Sequence, residues 1–167
     1  MKEVLILIDI QNDYFPYGRF PLAGMRSAAS NAAKLLKRRR DEGTPVIHIR
    51  HISESPDAGF FLPDTRGSEI HDSVRPLESE TVLIKHTPNS FAGTDLLEIL
   101  RGLGAEELHL AGAMTNMCVD STARAAFDLG FKVVVHGKAC AARPLFGTKL
   151  IHRLFLANLG SAFARIV

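Results

Sequence analysis

Short, continuous runs of apolar residues recur along the chain and are separated by longer stretches with helical periodicity. Such runs are typical of strands that are covered on both faces in a parallel sheet. The pattern predicts six strands, at residues 4–8, 45–49, 81–84, 107–111, 132–135 and 162–167.

The intervening stretches predict four helices. In the first, over residues 27–41, Ala28, Ala32 and Leu35 share one apolar stripe. The others cover residues 94–103, the stretch from the glycine turn at Gly112 to Gly130, and residues 144–159. This alternation predicts a three-layer α-β-α, Rossmann-like fold, with a parallel sheet between helices, in one domain over residues 1–167.

Residues 51–75 break this regularity and are rich in Pro, Gly, Ser and Asp. A loop of this length in a compact domain is usually functional or mobile. We therefore expect this loop to lie beside a functional site or beside a neighbouring subunit.

Composition narrows the possible partners of the chain. Its 167 residues are 46% hydrophobic and 23% charged, with a net charge of +2, which are ordinary values for a globular domain. Near-neutral charge gives no argument for nucleic acid or acidic lipid as a partner. The apolar run at residues 4–8 is too short for a signal or a membrane span, and two distant cysteines form no disulfide framework. We expect a cytoplasmic protein with a small-molecule substrate.

Three reactive side chains follow different predicted strands. Asp9, Lys85 and Cys118 lie at or beyond the carboxyl ends of the first, third and fourth strands. Ligands of parallel sheets bind at that edge, so the three side chains are expected to meet there. A carboxylate then acts as a base and a cation supports a thiolate.

Cys118 is predicted to lie in the first turn of its helix, with Thr115 or Asn116 as the N-cap. Unpaired N–H groups there favour a thiolate over a thiol of pKa about 8.5 and can bind an oxyanion. A buried, inert cysteine is the alternative, and it is the more common one for this segment considered alone.

The chain resembles the isochorismatase-like family of cysteine hydrolases, which includes nicotinamidases and N-carbamoylsarcosine amidohydrolases. The resemblance covers nearly the whole chain in order. Its matching segments are residues 9–14 (DIQNDY), 61–63 (FLP), 67–70 (GSEI), Lys85 with 89–94 (NSFAGT), 112–119 (GAMTNMCV) and 122–126 (TARAA).

The resemblance implies a six-stranded parallel sheet and a catalytic triad of Asp9, Lys85 and Cys118. It assigns the transfer of the thiol proton to Asp9, support of the charged forms to Lys85, and a covalent intermediate to Cys118. It also implies a cis peptide bond between Ala113 and Met114, with the N–H groups of Met114 and Cys118 as the oxyanion hole.

Metal binding is where the sequence departs from the family. Zinc-dependent nicotinamidases carry Asp-x-His after the second strand, where this chain has His51 and Ser53. His48, His51 and His71 are the remaining candidate ligands, but His48 and His51 are three apart on a strand and face opposite sides. We therefore expect no metal and no cofactor.

Gln11, Tyr14, Phe15 and Thr115 are the candidate substrate-binding residues, although the aromatic ones are equally suited to the core. The sequence thus predicts a metal-independent hydrolase of a small amide or carbamoyl compound, forming a homo-oligomer. The alternative is a non-catalytic binding or assembly module with a relic triad. A nucleotide-binding domain ranks last, because the sequence has no GxGxxG or P-loop spacing.

Overall fold

Six parallel strands form one sheet in the computed structural model, which describes residues 1–55, 57–144 and 149–167. Their order across the sheet is β3-β2-β1-β4-β5-β6. The chain begins at the centre, adds β2 and β3 on one side of β1, and then crosses over to add β4, β5 and β6 on the other side. The strands are β1 (Glu3–Ile8), β2 (Val46–His51), β3 (Thr81–Lys85), β4 (Glu107–Ala113), β5 (Lys132–Ala141) and β6 (Arg165–Ile166). The predicted six-stranded parallel sheet is confirmed.

Helices cover both faces of the sheet, as predicted. Alternate residues of β1 face opposite sides: Leu5 and Leu7 pack with α1, whereas Val4, Ile6 and Ile8 pack with the other helices. The α-helices in the described ranges are α1 (Met25–Asp41), α2 (Leu96–Gly102), α3 (Asp120–Asp128) and α4 (Leu150–Ala162). Burial on both faces explains the continuous apolar run of β1.

Several predicted boundaries differ from the structure. The predicted last strand starts at residue 162, but Ala162 is the last residue of α4 and β6 covers only Arg165–Ile166. The predicted fifth strand ends at Val135, but β5 continues to Ala141 because its pairing with β4 shifts register between Leu110 and Gly112 and then resumes. The predicted last helix starts at Pro144. Residues 145–148 of that prediction lie outside the described residues, and α4 runs on to Ala162.

The segment between β2 and β3 is anchored to the turn that follows β1. The buried Asp13 carboxylate accepts hydrogen bonds from the Phe61 N–H at 2.7 Å and from the Arg19 N–H at 3.0 Å. The rings of Tyr14, Phe20, Phe60 and Phe61 form one cluster beside it. The two tyrosines of this turn differ: Tyr14 is fully buried, whereas Tyr17 is fully exposed with a φ of 76°.

In the described ranges, no helix has both the length and the apolar character needed to cross a bilayer.

Candidate active site

The structure brings Asp9, Lys85 and Cys118 together at the carboxyl edge of the sheet. Lys85 Nζ lies 2.8 Å from Asp9 Oδ2 and 3.3 Å from Cys118 Sγ. Asp9 and Lys85 are fully buried, and Cys118 is 5% exposed. Three side chains that are far apart in sequence therefore share one small, buried site.

Two unusual backbone positions make this approach possible. Asp9 adopts a left-handed φ of 51° just after β1. Gly112, near the end of β4, has a φ of 139°, and a Cβ built there would lie 1.9 Å from the carbonyl oxygen of Ile8. A side chain at residue 112 would push β4 away from β1. The glycine thus lets the Cys118 turn lie directly beside Asp9.

The turn that carries Cys118 differs from the predicted first turn of an α-helix. The peptide bond between Ala113 and Met114 is cis. Residues Thr115–Val119 then form a π-helical turn, in which the Val119 N–H donates to the Met114 carbonyl at 3.1 Å, and α3 begins only at Asp120. No side chain caps this turn, so the predicted N-cap at Thr115 or Asn116 is wrong. The Thr115 hydroxyl is hydrogen-bonded to His152 Nδ1 of α4 instead, at 2.8 Å.

Lys85 Nζ has two further partners. It lies 3.0 Å from the Thr87 carbonyl oxygen and 2.9 Å from His51 Nδ1. Asp9, His51 and Cys118 each offer a potential metal-ligating atom within 4.8 Å of the others. The Lys85 Nζ lies 2.8, 2.9 and 3.3 Å from one such atom of Asp9, His51 and Cys118, respectively.

Burial has the largest effect on the pKa values of Asp9 and Cys118. It raises the pKa of the Asp9 carboxyl, although the Lys85 ammonium opposes this rise. Burial, together with the Asp9 carboxylate, also raises the pKa of the Cys118 thiol, and Lys85 again acts in the opposite direction. The resting site thus favours the thiol, not the thiolate predicted from the helix start, and a neighbouring base is needed to remove the proton.

The candidate substrate-binding residues all have contacts within the protein. The Gln11 amide nitrogen donates to the carbonyls of His51 and Ser68, both at 2.8 Å, and its oxygen accepts from the His51 N–H at 2.8 Å. Gln11 therefore holds the end of β2 in place rather than presenting a free amide. Tyr14 lies in the aromatic cluster, Phe15 stacks on the His71 ring at 3.6 Å between centroids, and Thr115 contacts His152. Their part in substrate binding stays a prediction.

The three candidate metal-binding histidines do not converge. His48 Nε2 lies 2.9 Å from Glu80 Oε2, His51 contacts Lys85, and His71 Nδ1 contacts the Ser73 hydroxyl. Two contacts at the site were not predicted from the sequence, those of His51 with Lys85 and of His152 with Thr115. The sequence signal for the first is that His51 follows the predicted second strand as Lys85 follows the third, and the structure pairs the two residues in register. Nothing in the sequence pattern indicates the second.

Comparison with known proteins supports this architecture. A family model for the isochorismatase domain matches residues 3–167. An uncharacterized isochorismatase family protein of Bacillus subtilis, YddQ, is 46% identical over 172 residues, which cover 99% of this chain and 96% of that protein.

Two solved structures are similar over 99% of this chain. A putative isochorismatase hydrolase from Oleispira antarctica matches with a TM-score of 0.93 and 40% identity over 92% of its length. N-carbamoylsarcosine amidase from Thermoplasma acidophilum matches with a TM-score of 0.87 and 26% identity over 95% of its length. Both similarities extend over essentially the whole fold, including the strands that carry the site.

Proposed function

Because this chain belongs to the isochorismatase family, we propose that it hydrolyses a C–N bond of a small amide or carbamoyl compound through a covalent intermediate on Cys118, without a metal ion. The observation that carries the proposal is the contact of Lys85 Nζ with both Asp9 Oδ2 and Cys118 Sγ, at 2.8 and 3.3 Å. The similarity to an N-carbamoylsarcosine amidase supports the choice of bond. A metal-independent reaction is supported by the Lys85 ammonium, which already contacts the Asp9, His51 and Cys118 atoms that could ligate a metal.

In the first half of the reaction, the Asp9 carboxylate removes the proton from Cys118 Sγ. The sulfur attacks the substrate carbonyl, and a C–S bond forms while the carbonyl π electrons move onto oxygen. The N–H groups of Met114 and Cys118 are the proposed donors to this oxyanion. Collapse breaks the C–N bond, and the amine or ammonia leaves with the proton held by Asp9.

In the second half, water replaces the amine. Asp9 takes one proton from the water, the resulting hydroxide attacks the thioester carbon, and the C–S bond breaks. Cys118 Sγ receives the proton from Asp9, which restores the resting site. Lys85 stays protonated throughout and stabilises whichever of its two neighbours carries negative charge.

The test is a panel of small amides, ureides and carbamoyl compounds with detection of released ammonia. Asp9→Asn and Cys118→Ala should each lower turnover at least about 10²–10⁴-fold, measured at a temperature where circular dichroism shows that the variant is folded. Cys140→Ala is the matched control, since this second buried thiol lies outside the triad, and it should stay active. An acyl adduct on Cys118, seen by mass spectrometry of the quenched reaction, would identify the intermediate.

A binding or assembly module with a relic triad is the second candidate, and the near-complete burial of Cys118 favours it. That candidate requires a compound to bind without being consumed, and Asp9→Asn then leaves its affinity nearly unchanged.

We also propose that the chain forms a homo-oligomer. Light scattering on the purified protein would test this directly, and a monomer at all concentrations would contradict it.

A further inference from the structure

The Lys85 ammonium has more acceptors than protons. Its three protons have four partners: Nζ is within hydrogen-bonding geometry of His51 Nδ1, the Thr87 carbonyl and Cys118 Sγ, and it forms an ion pair with Asp9 Oδ2, an oxygen that has no hydrogen-bond partner among the described residues. The Thr87 carbonyl and His51 Nδ1 take no part in the proposed chemistry. If these two hold two protons, the third is directed at the two reacting groups, whose oxygen and sulfur lie 2.8 and 3.3 Å from Nζ.

The imidazole of His51 is held in place for this contact. Its backbone N–H and carbonyl both bond to the Gln11 side-chain amide at 2.8 Å, so one buried amide fixes the end of β2. His51 also pairs in register with Lys85 across the β2–β3 ladder. The ring packs 5.8 Å from the Phe61 ring, between centroids. These contacts set the position of Nδ1 independently of any substrate.

We propose that His51 is a positioning residue that acts through Lys85: its neutral imidazole accepts one ammonium proton at Nδ1 and so directs another at Asp9 and Cys118. The role of this alignment in catalysis rests on the proposed function, but the alignment itself does not. In the neutral ring, acceptance at Nδ1 places the proton on Nε2. His51 is thus present as a single tautomer.

The surroundings of the ring agree with a neutral imidazole. Burial, with the Lys85 ammonium and His86 adding to it, lowers the pKa of His51 to about 4. The charged or titratable groups facing it are Lys85 and His86 at the end of β3, Asp9 after β1, and Cys118 in the turn after β4. His51 therefore keeps its acceptor nitrogen throughout the neutral pH range.

The direct test is nitrogen-15 NMR of the histidine rings in the wild-type protein. We expect His51 to show a protonated Nε2 and an unprotonated Nδ1, unchanged between pH 5.5 and 8. A ring that titrates in this range, or that carries its proton on Nδ1, would overturn the proposal. This measurement requires no substrate and no variant that has to fold.

The second test compares two substitutions. In His51→Asn the amide oxygen takes the place of Nδ1 as an acceptor, whereas His51→Leu has none. We expect alkylation of Cys118 by iodoacetamide at pH 8 to be about tenfold slower in His51→Leu, corresponding to about one pKa unit for the thiol. His51→Asn should stay within about threefold of the wild type, as a retained acceptor implies. His136→Gln is the matched control, because that ring contacts His109 rather than Lys85 or His51.

Turnover separates the two proposals. With an active substrate, His51→Leu should lower kcat by about 10–100-fold with little change in KM, because a misaligned ammonium affects the reaction more than binding. If no compound is turned over, the proposed function fails, while the NMR and alkylation results still decide the role of His51. Equal alkylation rates in His51→Leu and the wild type would overturn it.

Discussion

The Lys85 ammonium lies 2.8 Å from the Asp9 carboxylate, and both side chains are completely excluded from solvent. Such a pair is costly to bury, and its attraction only offsets the lost hydration while both partners are present. Each of the two charges can therefore stay buried only while the other is present. Stability measurements can show this dependence without any substrate.

Replacing one partner should cost more than replacing both. Lys85→Met leaves the Asp9 carboxylate buried without its cation, and we expect the free energy of unfolding at pH 8 to fall by about 3–5 kcal/mol. Adding Asp9→Asn removes the orphaned charge and should restore part of that loss. Urea denaturation of the single and double variants measures both effects. Simple addition of the two single losses would contradict this account.

Gly112→Ala should be strongly destabilising. The new Cβ would meet the Ile8 carbonyl at 1.9 Å in a backbone conformation that side chains rarely adopt. We expect a loss of more than about 3 kcal/mol in the free energy of unfolding, from strain and from separation of β1 and β4. Gly102→Ala is the control, since its Cβ meets nothing within 4 Å, and it should be neutral or slightly stabilising. Thermal melts of the two variants would then differ widely.

Glu80 should stabilise the protein only above mildly acidic pH. Burial opposes its charge, but hydrogen bonds from Arg40, the Leu77 N–H and His48 outweigh burial and lower its pKa to about 2. Because the folded pKa lies below the ordinary value of 4.5, this stabilisation is complete above pH 4.5 and is lost as pH falls toward 2. Glu80→Gln should therefore be less stable than the wild type at pH 7, with a gap that closes toward pH 2. Glu78→Gln, at an exposed site, should show no such gap.

His136 should make the stability of the protein depend on pH in a higher range than Glu80 does. Burial, followed by the charges of His109 and Arg39, lowers its pKa from 6.5 to about 4. Between these values the unfolded chain binds a proton that the folded protein does not, so stability falls as pH drops from 6.5 to 4. In His136→Gln the slope of unfolding free energy against pH should be smaller near pH 5, by at most about 1.4 kcal/mol per pH unit. An unchanged slope would show that this ring is free to take up a proton in the folded state.

The sheet and the positions of Asp9, Lys85 and Cys118 could be predicted because they depend on local patterns. Continuous apolar runs mark strands that are buried on both faces, and chain order then places the residues that follow them at one edge. The length of β5 could not be predicted in this way. Its apolar run is interrupted at Gly137 and Lys138, and only the register shift beside β4 lets the strand continue.

The finer organisation of the site depends on contacts between distant segments. The Gln11 side chain has the polar groups expected of a substrate-binding residue, but its amide forms hydrogen bonds with the backbone of β2 and of Ser68. Thr115 is of a residue type that often caps helices, but its hydroxyl is hydrogen-bonded to His152 of α4. The pKa of Cys118 depends on its burial and on Asp9 and Lys85, which come from two other segments of the chain. No periodicity in the sequence records such contacts.

The turn after β1 also gives the protein an optical reporter of its own site. The chain has no tryptophan and only two tyrosines, so its intrinsic fluorescence comes from Tyr14 and Tyr17 alone. Tyr17 lies entirely in solvent, whereas Tyr14 is enclosed by the aromatic cluster, and burial together with the Asp9 carboxylate raises the pKa of its hydroxyl. Tyr17→Phe would therefore leave a single emitting tyrosine in the aromatic cluster near Asp9, and changes in its signal would report ligand arrival without any added dye.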